Sequence, residues 1–214
     1  MNRLVTLIVI AKAPRAGHVK TRLCPPCTPE QAATLAGAAL ADTLTTVSEV
    51  SAPRRVLALD GAPGSWLPAG FDVVPQATGS LDVRLAGALA HVDGPAVLVG
   101  MDTPQISARL LEHTCRVLMD PGIDAVLGDA CDGGWWCIGL RRPDPRAFLG
   151  VEMSTADTGR LQRERLAALG LVTRDLPVLR DVDRIDDAFA VAALVPGSRF
   201  SAAVASLPIA TPAR

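Results

Sequence analysis

The chain of 214 residues is 49% hydrophobic and 20% charged, and its formal net charge at pH 7 is −1. This length and composition are typical of one globular domain with a sizeable core. The near-neutral charge argues against a broad surface for nucleic acid or membranes. Because no apolar run reaches the ~18 residues of a membrane span, and the N-terminal run lacks the features of a signal peptide, we expect a cytoplasmic protein without a membrane span.

Strand-like and helix-like segments alternate along the chain. Short apolar runs typical of strands lie at residues 4–11, 54–60, 71–76, 95–100, 123–128, 135–140 and 171–179. Segments typical of helices lie at residues 28–50, 81–92, 108–119, 158–170 and 186–194. Thr28, Pro29 and Gln31 form a start signal for the first helix. Ser107 is the expected N-cap of the third.

This alternation predicts an α/β domain with a mostly parallel central sheet flanked by helices. We expect the domain to occupy residues 1–195. Residues 196–214, which are rich in Pro, Ser and Ala, are expected to form a flexible C-terminal tail. In sheets of this kind ligands bind beyond the carboxyl ends of the strands, so the loops after the strands are the places to look for chemistry.

The first of these loops, AKAPRAGHVKTRL, contains the only two lysines of the chain, Lys12 and Lys20. Gly17 permits a turn whose backbone N–H groups cradle an anion. Lys12, Lys20 and Arg22 add positive charge suited to phosphate. The loop matches neither the P-loop nor the GxGxxG pattern. From the residues alone, a phosphate site and an exposed basic turn remain equal alternatives.

The CPPC segment from Cys24 to Cys27 has the spacing of a redox or metal-binding pair. Without a second pair or a histidine cluster, the simpler interpretation is two small apolar side chains in a proline-stiffened loop.

A carboxylate follows the fourth predicted strand, in the segment GMDTP. Asp102 is placed to bind Mg²⁺ or Mn²⁺, which prefer oxygen ligands and bridge to substrate phosphates. The alternative is that Asp102 caps a turn or the following segment.

The turn before the sixth predicted strand combines acids, paired glycines and adjacent tryptophans. Its candidate ligand-binding residues are Asp132, Gly133, Gly134, Trp135 and Trp136. Paired glycines let a backbone lie against a ligand, and an indole offers a flat face to a sugar or base. The alternative is a hairpin turn with one tryptophan in the core and the other at the surface, because successive strand residues face opposite sides.

The last acid-rich loop is LRDVDRIDD. Asp181 and Asp183 face the same way if the strand continues, so that both can face one cation. Alternatively, Asp183 or Asp186 caps the last helix. A basic loop for phosphates together with acids for a divalent ion indicates an enzyme that uses a nucleoside polyphosphate.

These segments, taken together, resemble a known family. AKAPRAGHVKTRL, QATGSLDVRL, GMDTP, DGGWWCIGL and DVDRIDD occur in this order and cover residues 11–187. The set is similar to bacterial glycosyltransferases with the GT-A-type nucleotide-diphospho-sugar transferase fold, relatives of the guanylyltransferases of cofactor biosynthesis. The resemblance implies a GT-A-like single domain.

The resemblance also implies roles for individual residues. Nucleotide and phosphate binding would fall to Lys12, Gly17, Lys20, Thr21, Arg22, Gly79 and Arg84. Mg²⁺ or Mn²⁺ would bind Asp102 and Asp183. The acceptor would lie against Gly133, Gly134, Trp135 and Trp136, with Asp132 and Lys20 as catalytic residues.

The expected function is a metal-dependent transfer of a sugar from a nucleoside diphosphate sugar to a small-molecule acceptor. One alternative is a nucleotidyltransferase that releases pyrophosphate from a nucleoside triphosphate. Another is a nucleotide-binding protein without catalysis. The chain departs from the family pattern at Ser80, Asp82, Val83 and Met153. These departures concern the specificity for the acceptor more than the nucleotide site. The sequence does not decide the oligomeric state.

Overall fold

The computed structural model describes residues 5–208. Its strands are β1 (Thr6–Lys12), β2 (Arg55–Asp60), β3 (Asp72–Pro75), β4 (Ala96–Val99), β5 (Ala125–Ala130), β6 (Trp135–Leu140) and β7 (Thr173–Leu179). Its α-helices are α1 (Pro29–Glu49), α2 (Leu81–Leu89), α3 (Ala108–Leu118), α4 (Thr158–Ala168), α5 (Ile185–Leu194) and α6 (Arg199–Ala205). Within these residues, no helix combines the length and apolar composition needed to cross a bilayer.

The strands form one sheet of seven, in the order β3-β2-β1-β4-β6-β5-β7. Only β6 runs antiparallel to its neighbours, β4 and β5. The other pairs, β1 with β2, β1 with β4, β2 with β3, and β5 with β7, are parallel. The prediction of a mostly parallel sheet flanked by helices is confirmed. The carboxyl ends of β1, β4, β5 and β7 therefore meet at one edge of the sheet, where β6 begins.

Helices cover both faces of this sheet. Side chains of α1 and α3, such as Leu44 and Leu111, join one apolar cluster with Leu7 and Val9 of β1. Side chains of α2 and α4 join a second cluster with Ile8 on the opposite face. The continuous apolar run of β1 follows from this burial on both sides.

The predicted helix starts are confirmed at two sites. Thr28 Oγ1 accepts from the N–H of Gln31, and the Gln31 side chain accepts from the N–H of Thr28. Ser107 Oγ accepts a hydrogen bond from the N–H of Leu110. Each contact satisfies a helical N–H that has no partner within its own helix.

The predicted flexible tail is wrong for the part of it that the structure describes. Residues Arg199–Ala205 form α6, with Ser198 as its N-cap. Phe200 is fully buried against α1 and α5, and the N–H of Phe200 donates to Asp42 Oδ2 on α1 at 2.8 Å. Burial of this aromatic side chain therefore orders a segment whose composition is typical of a loop. Residues 209–214 lie outside the described part of the chain.

Candidate functional site

A pocket of about 390 Å³ lies at the edge of the sheet where the strand ends meet. It collects residues from all four of the loops that the sequence singled out. The predicted site residues that line it are Lys12, Lys20, Thr21, Arg22, Arg84, Asp102, Asp132, Gly134, Trp135 and Asp183. The structure thus brings together most of the predicted site.

The loop after β1 is anchored by buried side chains on both sides of Lys20. Val19 is 4% exposed, and Leu23 is fully buried at the end of a short 3-10 helix (Thr21–Leu23). Lys20 itself has a left-handed backbone, with φ of 47°, a conformation that is uncommon for a residue other than glycine. The anchored backbone aims the lysine side chain into the pocket rather than toward solvent.

The ammonium of Lys20 bridges two carboxylates that come from opposite parts of the chain. Its Nζ lies 2.8 Å from Asp102 Oδ2 and 2.9 Å from Asp183 Oδ1. Arg22 Nη1 contacts the other oxygen of Asp183 at 2.6 Å. The Lys20 side chain is 12% exposed, so that its ammonium is largely shielded from water.

These ion pairs shift the pKa values of both partners. Burial alone would lower the pKa of Lys20, but the charges of Asp102 and Asp183 and their hydrogen bonds raise it to about 12. Burial would raise the pKa of Asp183, but Lys20 and Arg22 hold that pKa below its ordinary value. Lys20 is therefore a cation, and Asp183 an anion, at neutral pH.

Acidic side chains converge next to this bridge. Carboxylate oxygens of Asp132, Asp181 and Asp183 lie within 4.8 Å of one another. Burial, followed by the charges of Asp132, Asp102 and Asp183, raises the pKa of Asp181 to about 6. A set of oxygen ligands at this spacing suits Mg²⁺ or Mn²⁺, and repulsion among the acids is the force that a cation would relieve.

The loop between β7 and α5 is held against the loop after β4 by a backbone contact. The N–H of Val182 donates to the carbonyl oxygen of Asp102 at 2.9 Å. Val182 is buried, and its neighbours Asp181 and Asp183 line the pocket.

The predicted alternative that Asp183 or Asp186 caps the last helix is wrong, because Asp187 accepts from the N–H of Arg184.

The adjacent tryptophans of β6 face opposite sides of the sheet. Trp136 is 2% exposed in the core and donates from Nε1 to the carbonyl oxygen of Pro177 at 2.9 Å. Its predicted contact with an acceptor is therefore wrong. Trp135 lines the pocket and packs against Phe148 with ring centroids 6.2 Å apart. The indole Nε1 of Trp135 is buried without a hydrogen-bond partner.

The paired glycines have different positions. Gly134 lines the pocket, and its N–H donates to Asp132 Oδ1 at 2.8 Å. Gly133 is not among the residues that line the pocket. It has φ of 92°, and a Cβ there would overlap the carbonyl oxygen of Ala156. The carbonyl of Gly133 also accepts from the N–H of Gly159 at 2.8 Å, which ties the β5–β6 hairpin to the start of α4.

Two other predicted glycines lie outside the pocket lining. Gly17 has φ of 77° and shapes the first turn, while Gly79 has φ of 129° and packs against Val83. Both have the positive φ that favours glycine. Arg84 does line the cavity, and its Nη1 lies 3.3 Å from Asp60 Oδ2.

Sequence reasoning missed several lining residues. Gln76 donates from Nε2 to the carbonyl oxygens of Ala11 and Ala58, and its Oε1 is buried without a partner. Other lining residues outside the predicted set include Met153, Ser154, Thr155 and Thr158. The left-handed backbone of Ser154, with φ of 63°, has no signature in the sequence. Asp181, which the sequence pairs with Asp183 as a side chain that can face one cation, also lines the pocket.

The thiols of Cys24 and Cys27 are unpaired. Burial, and then the neighbouring Cys24, raises the pKa of the Cys27 thiol, which is opposite to the shift of a reactive thiolate.

The fold has counterparts among solved structures. A protein of Desulfovibrio desulfuricans G20, provisionally described as a nucleotide-diphospho-sugar transferase, is 24% identical with a TM-score of 0.81, and the match covers 94% of this chain and 92% of that one. CMP:2-keto-3-deoxy-manno-octonic acid synthetase in complex with CTP is 13% identical with a TM-score of 0.58, covering 89% and 98%. Rv0371c of Mycobacterium tuberculosis H37Rv in complex with manganese is 22% identical with a TM-score of 0.51, covering 88% and 97%. These likenesses establish the fold.

No curated protein sequence matches the chain significantly. Residues 31–155 match the family described as "uncharacterized protein conserved in bacteria (DUF2064)". This match covers more than half of the 214 residues and includes the loops of Asp102 and Asp132. The chain therefore belongs to the bacterial family DUF2064.

Proposed function

We propose that this protein is a divalent-metal-dependent transferase that moves a sugar from a nucleoside diphosphate sugar to a small-molecule acceptor. The observation that carries the proposal is the convergence of Asp102 and Asp183 on Lys20 inside one pocket, with Arg22 beside them. The cations are suited to the phosphates of a nucleotide substrate, and the carboxylates are suited to the metal ion that accompanies those phosphates.

The loop after β1 would hold the diphosphate of the donor. Lys12, Lys20, Thr21 and Arg22 line the same side of the pocket. Arg22 is the more exposed cation, with a side chain 60% exposed, and its planar guanidinium can bind two phosphate oxygens at once. These side chains would orient the leaving group and stabilise the negative charge that develops on it.

The acids of the pocket would bind the metal. Asp102 and Asp183 are the proposed ligands, and Asp181 lies close enough to Asp183 to complete the set. When bound, Mg²⁺ or Mn²⁺ would supply charge neutralisation for the leaving diphosphate.

The nucleoside would lie toward α2. Gln76 and Arg84 line that side, and each has a buried polar atom without a partner, Gln76 Oε1 and Arg84 Nε. The amide of Gln76 can have only one orientation, because Nε2 faces two carbonyl oxygens. Its Oε1 is therefore an acceptor suited to an N–H of a base or a hydroxyl of a ribose.

The acceptor would lie against the hairpin and the start of α4. That half of the pocket is lined by Ala130, Asp132, Gly134, Trp135, Met153, Ser154, Thr155 and Thr158. Among the described lining residues, those from the β5–β6 hairpin, the start of α4 and the loop before α4 include no Lys, Arg or His, whereas those from β1, the loop after β1 and α2 include Lys12, His18, Lys20, Arg22 and Arg84. An uncharged acceptor with hydroxyl groups, packed on the Trp135 ring, fits this half better than a phosphorylated one. Asp132 is the proposed general base.

A second candidate is nucleotidyl transfer, in which a nucleoside triphosphate loses pyrophosphate. One observation favours it: Asp102, Asp132, Asp181 and Asp183 offer more carboxylates than one ion needs. Pairs of metal ions about 3.5–4 Å apart serve in-line displacement at phosphorus. A structure with CTP bound has the same fold as this chain.

The test is a thermal-shift panel of nucleoside diphosphate sugars and nucleoside triphosphates, with and without Mn²⁺. A ligand at 100-fold its Kd adds about 2.7 kcal/mol of stability. Asp102→Asn should abolish the metal-dependent part, and Asp72→Asn, an exposed acid paired with Arg54, should not. Stabilisation by one diphosphate sugar supports the proposal. Stabilisation by a triphosphate, together with release of pyrophosphate, supports the second candidate. If no ligand of the panel stabilises the protein, both candidates are contradicted.

A further inference from the structure

Lys20 occupies the place between two carboxylates where a divalent cation is proposed to bind. Its Nζ is within 3 Å of both Asp102 and Asp183, at 2.8 and 2.9 Å. Both carboxylates are partly shielded, with side chains 33% and 25% exposed. Because an ammonium and a divalent cation repel each other at this distance, the lysine and the metal compete for these two carboxylates.

The loop fixes the backbone of Lys20 but leaves its side chain free to move. Buried Val19 and Leu23 hold the chain on either side, and the N–H of Leu23 donates to the carbonyl oxygen of Lys20 at 2.9 Å. Four methylene groups separate this fixed point from the ammonium, so that rotation within the side chain can carry the charge from the acids toward a phosphate in the same pocket.

Lys12 provides an internal contrast. It lines the same pocket and is the only other lysine of the chain. Its side chain is exposed, and within the described residues it forms no ion pair. Bridging of the acids is therefore a property of position 20 rather than of any lysine in the loop.

We propose that Lys20 is a resident counter-ion, which holds Asp102 and Asp183 together until a divalent metal displaces it and which then binds the phosphates of the nucleotide. The inference rests on the proposed function, because it requires a metal at these acids. When the metal displaces the Lys20 ammonium from the two acids, the ammonium has no anionic partner, and a phosphate of the nucleotide then provides one. The metal and the nucleotide therefore bind cooperatively, on the usual scale of about 5–150-fold.

The first experiment is a Mn²⁺ titration of the nucleotide-free protein, in which the electron paramagnetic resonance signal measures the concentration of free Mn²⁺. Lys20→Met removes the competing cation and should bind Mn²⁺ about tenfold or more tightly than the wild type, the scale of one charge-assisted hydrogen bond. Arg15→Met, the matched control, removes an exposed cation of the same loop that does not line the pocket, and it should bind Mn²⁺ as the wild type does. Equal or weaker binding by Lys20→Met would overturn the inference.

The second experiment uses the unaltered chain, so that it does not depend on how Lys20→Met folds. Protein labelled with ¹³C and ¹⁵N in lysine gives signals from only two lysine side chains, and Lys12→Met assigns them. Mg²⁺ should shift the Cε and Nζ signals of Lys20 with the dissociation constant of the metal and leave those of Lys12 in place. Metal binding with an unmoved Lys20 signal would overturn the inference while the proposed metal site stands. Failure of every protein to bind Mn²⁺ or Mg²⁺ would overturn the metal site itself.

Discussion

Lys20 Nζ lies 2.9 Å from Asp183 Oδ1, although 163 positions separate the two residues in the chain. This contact joins the first loop of the sheet to the last, across the pocket that both line. It also sets the electrostatics of the site, because the same ammonium contacts Asp102. Loss of either acid leaves a shielded cation with one partner fewer, which is the costly case for a buried ion pair.

Asp132→Asn should separate catalysis from donor binding. The amide oxygen of Asn can still accept from the N–H of Gly134, as Asp132 Oδ1 does at 2.8 Å, so the turn should persist while the basic carboxylate is lost. We expect turnover to fall by about 10²–10⁴-fold, the range of general base catalysis, with donor affinity nearly unchanged. Initial rates and donor titration with the same preparation measure both quantities. Equal losses in turnover and donor binding would instead make Asp132 a metal ligand.

Asp181→Asn should stabilise the metal-free protein in a pH-dependent way. The pKa of Asp181 is raised to about 6 in the folded state, against about 3.9 in an unfolded chain. Its ionisation therefore costs stability as pH rises from about 4 to about 6, and the cost persists above that range. We expect a gain of about 1 kcal/mol at pH 7.5 after discounting for solvent screening, and no gain below pH 4.

Thermal unfolding of Asp181→Asn and of the wild type in EDTA, at pH 7.5 and just below pH 4, measures this effect. About 1 kcal/mol corresponds to about 2–4 °C in Tm for a domain of this size. Asp93→Asn changes an exposed acid and serves as the control. A gain that is the same at both pH values would show that the charge of Asp181 is not the cause.

Gly133→Ala should destabilise the hairpin more than a glycine substitution of equal backbone strain. Gly133 has φ of 92°, and its added Cβ would overlap the carbonyl of Ala156. Gly170 has φ of 72° with nothing within 4 Å of an added Cβ, so Gly170→Ala measures the conformational cost alone, about 1–2 kcal/mol. We expect urea unfolding to show roughly twice that loss for Gly133→Ala. Equal midpoints would mean that the segment around Ala156 moves aside freely.

Phe200→Ala should show that α6 is part of the folded domain. Phe200 is fully buried in the cluster formed with α1 and α5. Its truncation should cost about 3–5 kcal/mol, as for other buried aromatic residues. Leu194→Ala is the control, because Leu194 is 67% exposed and should change stability by less than about 0.5 kcal/mol. A wild-type unfolding midpoint for Phe200→Ala would restore the view of this segment as a loose tail.

The order of the strands and helices, and much of the candidate site, could be predicted from the amino-acid sequence. Periodicity and burial on both faces identified the strands, and local signals such as Thr28 with Gln31 marked helix starts. Parallel strands then bring their carboxyl ends to one edge. This is why loops far apart in sequence were expected to share one site, and why Lys20, Asp102 and Asp183 line one pocket.

Which side chains face that pocket depends on how the elements pack, and the sequence did not predict it. Strand alternation requires Trp135 and Trp136 to face opposite ways, but which of them enters the core depends on where Pro177 and Gly128 lie. The burial of Phe200 likewise depends on a surface made by α1 and α5. The Lys20 bridge requires three loops to meet, and burial at that meeting point, followed by the charges of the nearby acids, raises the pKa of Asp181. Local sequence encodes hydrogen bonds and periodicity over a few residues, whereas packing and charge interactions depend on distances that only the assembled sheet fixes.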